Sequence, residues 1–253
     1  MSMVTVSIVS HGQGVMLSRL LSDLAVCPEV SSVIVTLNIP EAEFETPENL
    51  RGRLTIVRNA LAKGFSANHN AAFEHCDTPF FCVLNPDVRI PEPPFPCLMA
   101  AMEKMQAVMA VPAVVNPEGN LEDSIRLFPT PVRLLRKVLL GQNGAHPFAL
   151  GDSAFFPHWA AGMFMLFDSQ AYAGLHGFDE SYFLYYEDVD ICARIWLGDM
   201  RLVACPSVSV VHAAQRSSHR SLKYLRWHVS SALRFQIRYF GRLPDPDPSR
   251  SGV

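Results

Sequence analysis

Phe80-Phe81-Cys82-Val83-Leu84-Asn85-Pro86-Asp87-Val88-Arg89 is the stretch on which the fold reading turns. Five apolar residues in succession predict a short strand buried on both faces, as in a parallel sheet covered by helices. The chain then breaks at Asn85-Pro86, and Asp87 sets a carboxylate at the mouth of that sheet, where open α/β sheets bind ligands. Two readings stand for Asp87 at this point. It is a turn residue after a buried strand, or it holds a hard cation or a diphosphate.

Working outward, Val4–Ser10 is β-branched and apolar and ends at His11-Gly12. Apolar positions 17, 20, 21 and 24 then mark a helix. Residues 32–37 and 54–57 are strand-like, and Gly64 opens a helix running through Phe73 into the Phe80 strand. The alternation predicts an α/β domain with a mostly parallel central sheet flanked by helices. Neither G-x-G-x-x-G nor G-K-[ST] occurs, which removes the dinucleotide fingerprint and the P-loop. Asn68 and Asn70, two apart on one helix, face different sides. Past Asp87, a helix from the Pro-rich 91–96 segment to about Met105 precedes a strand over 108–115. Asp123–Pro131 is a polar excursion into a further short helix, and 141–157 is a long connection of a length that marks either a functional lid or disorder. His158–Asp168 reads as one strand, with Ala161-Gly162 in its middle where a ligand can approach the backbone. Residues 201–204 and 208–211 read as two short strands, the second delivering His212.

The densest chemistry lies in Gly177-Phe178-Asp179-Glu180-Ser181-Tyr182-Phe183-Leu184-Tyr185-Tyr186-Glu187-Asp188-Val189-Asp190. Glu187 and Asp188 fall in the first turn of a helix to about Leu197, where the helix dipole favours negative charge. A solvated acidic helix start accounts for Glu187. It accounts less well for carboxylates set among so many aromatics, where raised pKa values suit a base.

The 253 residues fit one large domain, with 49% hydrophobic and 18% charged residues. No apolar run approaches the ~20 residues of a membrane span, and Met1–Ser7 reads as a strand entry rather than a signal peptide. Six cysteines without a C-x-x-C pair read as buried free thiols in a reducing cytosol. The net charge of −3 hides an asymmetry: residues 1–199 carry 12 basic and 22 acidic side chains, residues 200–244 carry 8 basic and none acidic. From Ser218 to residue 243, apolar positions at helical spacing alternate with Arg and Lys. That basic amphipathic helix packs on the domain or lies on an anionic membrane surface; nucleic-acid binding is not expected of an otherwise acidic chain. Residues 244–253 read as a disordered tail.

These pieces, in this order, resemble glycosyltransferase family 2 and, within it, rhamnosyltransferase-like enzymes. The likeness rests on Val6–Ser10, Asn59 through Gly64-Phe65 to Asn68 and Asn70, Leu84–Asp87, Arg126 through Pro131, Ala161-Gly162, Gly177–Glu180 with Phe183, Tyr186–Cys192 with Arg194, and His212. It spans residues 4 to about 217, so that 1–217 forms the expected catalytic domain. The resemblance implies a GT-A (Rossmann-like) fold, a nucleotide-sugar donor, Mg²⁺ or Mn²⁺, and inversion at the anomeric carbon. It implies Asp87 and His212 at the metal, and Asp188 as the general base. Ser10, His11, Asn38, Asn68, Asn85, Ala161 and Gly162 would face the donor, and Asp179, Glu180, Glu187 and Arg126 the acceptor or sugar side. L-Rhamnose from dTDP-L-rhamnose, a glycan or lipid-linked glycan acceptor, and a cytoplasmic place on the inner face of the plasma membrane complete the expectation. Two segments depart from the family pattern. His11-Gly12 replaces a Tyr-Asn type pair, and Asn38 stands where an Asp is usual, with an amide that donates where a carboxylate only accepts. The second departure leaves one alternative, a catalytically silent GT-A domain that binds a glycan or partner.

Overall fold

In Phe80–Leu84 successive side chains point to opposite faces, and both faces are buried: Phe81 and Val83 enter one apolar core, Cys82 and Leu84 the other. A computed structural model of the chain describes residues 3–141, 144–213, 222–244 and 246. Its strands are β1 (Val4–Ser10), β2 (Val30–Leu37), β3 (Leu54–Arg58), β4 (Phe80–Leu84), β5 (Val88–Arg89), β6 (Met109–Val115), β7 (Ile125–Arg126), β8 (Trp159–Ala160), β9 (Phe164–Asp168) and β10 (Leu202–His212). Its helices are α1 (Gly14–Ala25), α2 (Phe65–Phe73), α3 (Phe95–Met105), α4 (Pro131–Leu140), α5 (Ser169–Gly174), α6 (Glu187–Leu197) and α7 (Leu222–Tyr239).

Eight strands form one sheet in the order β3-β2-β1-β4-β9-β6-β10-β5, and β7 pairs with β8 in a small second sheet. The pairs β1–β2, β2–β3, β1–β4 and β6–β10 are parallel, whereas β9 runs antiparallel between β4 and β6. The C-terminal ends of β1, β2 and β4 therefore share one edge of the sheet, the position at which α/β folds place ligands. Helices α1 and α3 cover one face, and α2, α5, α6 and α7 the other. The spacing of Leu17, Leu20, Leu21 and Leu24, all fully buried, explains α1. The six cysteines are free, four of them buried.

Two strand expectations are corrected. His158–Asp168 is not one strand: β8 and β9 belong to different sheets, and Ala161-Gly162-Met163 is the strap between them. A continuous apolar pattern hid the break, which is fixed by hydrogen bonds to distant residues. Conversely, the two strands expected near 201–211 are one, β10, with a register shift between Cys205 and Ser209 around Pro206, which has no N–H for the ladder. The C-terminal helix is present as Leu222–Tyr239 and packs on the domain through Ser231, Phe235 and Tyr239. Ser218–Ser221 and nearly all of the 244–253 tail lie outside the described residues. Among the described residues, no helix is long and apolar enough to cross a membrane.

Candidate active site

Antiparallel pairing of β5 with β10 sets His212 opposite Val88, one residue beyond Asp87, and the Ala213 N–H donates to the Asp87 carbonyl at 3.0 Å. His212 Nε2 lies 3.3 Å from Asp87 Oδ2, and His212 Nδ1 lies 2.7 Å from Glu122 Oε2. Burial works to lower the His212 pKa, but hydrogen bonds and charge from Asp87 and Glu122 outweigh it and hold the imidazole above its ordinary value. Asp87 Oδ1 is buried with no hydrogen-bond partner. An orphaned carboxylate oxygen beside an imidazole nitrogen fits two positions of a divalent cation's shell. Among the described residues no group of three or more His, Cys, Asp or Glu is arranged to hold a metal. A cation here would need its other ligands from phosphate oxygens or water. Glu122, on the loop after β6, gave no signal in the sequence.

The second corner is the start of α6. Tyr185 and Tyr186 both have left-handed backbones, φ 71° and 69°, which is sparse for bulky residues and turns the chain sharply into the helix. Glu187 and Asp188 follow. Asp188 Oδ2 accepts from the Gly162 N–H at 3.1 Å, and Oδ1 accepts from the Val189 N–H at 2.8 Å. Burial pushes Asp188 up to about 6, against the pull of those N–H groups and of Arg126. Glu187, 5% exposed and with Oε2 unpartnered, is driven well above the carboxylate range by burial and by Asp188 beside it.

The strap joins the corners. Ala161 N–H donates to the Ser124 carbonyl at 2.8 Å, Gly162 N–H reaches Asp188, and the Asn85 N–H donates to the Met163 carbonyl at 3.0 Å. Arg126 lies over the Trp159 ring and 3.3 Å from Asp123. Arg126 and Trp159 line a cavity of about 540 Å³, together with Glu187, Asp188, Tyr185, Tyr186 and side chains of α4 and α7.

The β1 and β2 ends meet on a third side. Ser10 donates to Glu41 Oε2 at 2.9 Å. Asn38 is 7% exposed; its amide donates to the Lys63 carbonyl and its Oδ1 accepts from the Lys63 and Asn59 N–H groups. His11 Nδ1 lies 3.4 Å from the Asn38 amide. Asn68 is buried, bonded to Asn59, Gly64 and Lys63, while Asn70 faces the other way to Phe178, Tyr172 and Glu180. Asp179 and Glu180 do not border the cavity: Asp179 pairs with Arg238 of α7 and Glu180 with Asn70. Asp190 is fully buried and serves packing, bonded to Arg194 at 2.7 Å and the Tyr239 hydroxyl at 2.8 Å.

No family model matches the chain. It is similar to "Rhamnosyltransferase WbbL" of Escherichia coli (strain K12), 28% identical over 247 residues and 93% of each chain. It is also similar to the N-acetylglucosaminyl-diphospho-decaprenol L-rhamnosyltransferase of Mycobacterium tuberculosis, 26% identical over 235 residues, 84% of this chain and 76% of the other. Among solved structures it superimposes on GalNAc-T7 with UDP, GalNAc and Mn²⁺ with a TM-score of 0.65 and 15% identity, covering 91% of this chain and 47% of that one. The chain thus spans about half of that protein, and the likeness shows the fold.

Proposed function

We propose that the chain, similar in sequence to two rhamnosyltransferases and in fold to GT-A glycosyltransferases, is a metal-dependent inverting glycosyltransferase. Its donor is a nucleotide sugar, dTDP-L-rhamnose, and its acceptor a glycan or lipid-linked glycan of surface polysaccharide synthesis. The observation that carries this is Asp188: a carboxylate on the cavity wall, oriented by two backbone N–H groups and raised to about 6, poised as a base near neutral pH.

The acceptor hydroxyl attacks the anomeric carbon, the bond to the nucleoside diphosphate breaks with its electron pair on the departing phosphate, and Asp188 takes the hydroxyl proton. Asp87 and His212 would hold Mg²⁺ or Mn²⁺, whose charge offsets that of the leaving diphosphate. Ser10, His11, Asn38, Asn68, Asn85 and the 161–162 backbone bound the donor side, Arg126 and Glu187 the acceptor side. The likeness to two rhamnosyltransferases and the Mn²⁺ in the GalNAc-T7 structure support this reading.

Purified protein offered dTDP-L-rhamnose with Mn²⁺ and a GlcNAc-terminated acceptor should release dTDP and form product. Equal inactivity with every nucleotide sugar, with and without metal, would refute it. A silent binding domain is the second reading, favoured by Asn38, whose amide is fully engaged inside the protein. Donor turnover separates the two.

A further inference from the structure

Helix α7 has more faces than packing needs. Phe235 and Tyr239 are buried against the domain, yet Val229, Leu233 and Ile237, spaced by four residues, are 47%, 58% and 80% exposed. Helix α4 repeats the pattern with Val132, Leu135 and Leu139, each more than half exposed. Nine of the seventeen exposed large apolar side chains among the described residues fall within 132–140 and 225–240, a concentration on two helices rather than the usual scatter. The two helices flank the cavity that reaches Asp188: Arg133 and Lys137 enter its lining from α4, Tyr224 and His228 from α7.

We propose that α4 and α7 together form a two-helix docking face for an anionic phospholipid bilayer, with the cavity mouth opening between them at the membrane surface. This deepens the functional reading above and adds α4 to the C-terminal helix for which the sequence offered a membrane surface as one alternative; it rests on that reading for the acceptor's place in the membrane. Charge selects the occupant. α4 carries Arg133, Arg136 and Lys137, the described part of α7 carries Lys223, Arg226 and Arg234 besides Arg238, whose charge is met by Asp179 and Asp190, and neither helix carries an acid. A second copy apposed on this face would bring cations against cations, whereas an anionic leaflet supplies the counter-charge and receives the apolar stripes at shallow depth. Neither helix can span a bilayer, so the contact lies in the interface plane. An acceptor held in the leaflet then meets Asp188 without leaving it.

The test is co-flotation of the full chain with phosphatidylcholine vesicles, with and without phosphatidylglycerol. The whole protein should bind only the anionic vesicles, and less so at high salt. The double variants Leu135→Asp/Leu139→Asp on α4 and Val229→Asp/Ile237→Asp on α7 should each lose about tenfold or more in vesicle affinity. Arg136→Glu, a surface change that leaves packing alone, should lose affinity in the same direction. Each variant is to keep the parent melting temperature and turnover with a short water-soluble acceptor. Loss from the α7 variant alone would overturn the two-helix face, as would binding equal across all variants or no binding by the parent. A parent dimer that the variants convert to monomer would show a second copy as the occupant and overturn it too. Vesicle binding without sugar transfer would sink the functional reading while leaving the docking face standing.

Discussion

Gly162 donates its backbone N–H to the Asp188 carboxylate at 3.1 Å, and the carbonyl of the next residue, Met163, accepts from the N–H of Asn85 at 3.0 Å. Three residues of strap thus fix the distance between the base corner and the β4 corner. A Cβ at residue 162 would sit 3.1 Å from the Phe65 ring and 3.8 Å from Asp188 Cβ. Gly162→Ala should therefore displace the strap and cost about 1–3 kcal/mol of stability, the usual scale of overpacking. Because an N–H bond favours the ionised carboxylate, weakening it raises the Asp188 pKa. The acid limb of the pH–rate profile should move to higher pH, a signature that simple destabilisation does not produce.

Asp188 must be ionised to accept a proton. With its pKa raised from 3.8 to about 6, kcat/KM should climb with pH through about 6 and level off above it. The stability sign is opposite: the folded state binds this proton more tightly than the unfolded, so its contribution declines as pH rises from 3.8 to 6. Asp188→Asn should lower kcat by about 10²–10⁴-fold, the range of general-base catalysis, with donor affinity by calorimetry unchanged. Glu187→Gln keeps the shape of a carboxyl whose protonated form burial favours, and should retain most of the turnover. An Asp188→Asn variant with full turnover would remove the base assignment.

How much of this was legible in the sequence depended on locality. Asn85-Pro86-Asp87 and Glu187-Asp188 announce themselves because strand, break and carboxylate are contiguous. Asn70 facing away from Asn68 follows from helical spacing alone. Glu122 is invisible: its meaning comes from the β5–β10 register, which brings residues 87 and 212 beside a loop that follows β6. The strap was misread as strand interior because Trp159 through Phe167 is apolar almost throughout, and only partners outside the segment break it. Asp179 and Glu180, expected to face the sugar, are engaged by Arg238 and Asn70. No local pattern reveals that α7 returns to meet Asp179 and α2 to meet Glu180.

Gly64 marks a close crossing. A Cβ there would lie 2.5 Å from the Phe183 carbonyl oxygen, which also accepts from the Phe65 N–H at 3.0 Å. Backbone cannot yield as a side-chain tip does, so Gly64→Ala should destabilise by about 2–3 kcal/mol or more. Thermal melts would measure it, and an unchanged melting temperature would show that this crossing relaxes freely.

Asn38 stands where the resemblance leads one to expect an Asp, and its surroundings suit an amide. The Lys63 carbonyl accepts from the Asn38 amide at 3.0 Å as well as from the Asn68 amide at 3.3 Å, and Asn38 accepts in turn from the Lys63 N–H at 2.8 Å. A carboxylate cannot donate, so Asn38→Asp should cost about 1–3 kcal/mol by leaving an unpaired oxygen against that carbonyl. If melts show Asn38→Asp to be neutral or stabilising, the 59–63 loop has another means of support.

The Asp87–His212–Glu122 chain yields the last expectation. An imidazole whose far nitrogen is held by a carboxylate has its ring orientation and tautomer fixed, leaving Nε2 to face the cation. Asp87→Ala should abolish the Mn²⁺-dependent part of nucleoside diphosphate binding. Glu122→Ala, which removes no ligand, should weaken it by about 10–100-fold, and Glu122→Gln, still able to accept from Nδ1–H, should restore much of that loss. Calorimetry of nucleoside diphosphate with and without Mn²⁺ reads all three. Equal affinities for the parent and Asp87→Ala would move the metal elsewhere. A Glu122→Ala protein indistinguishable from the parent would reduce Glu122 to a surface partner of His212.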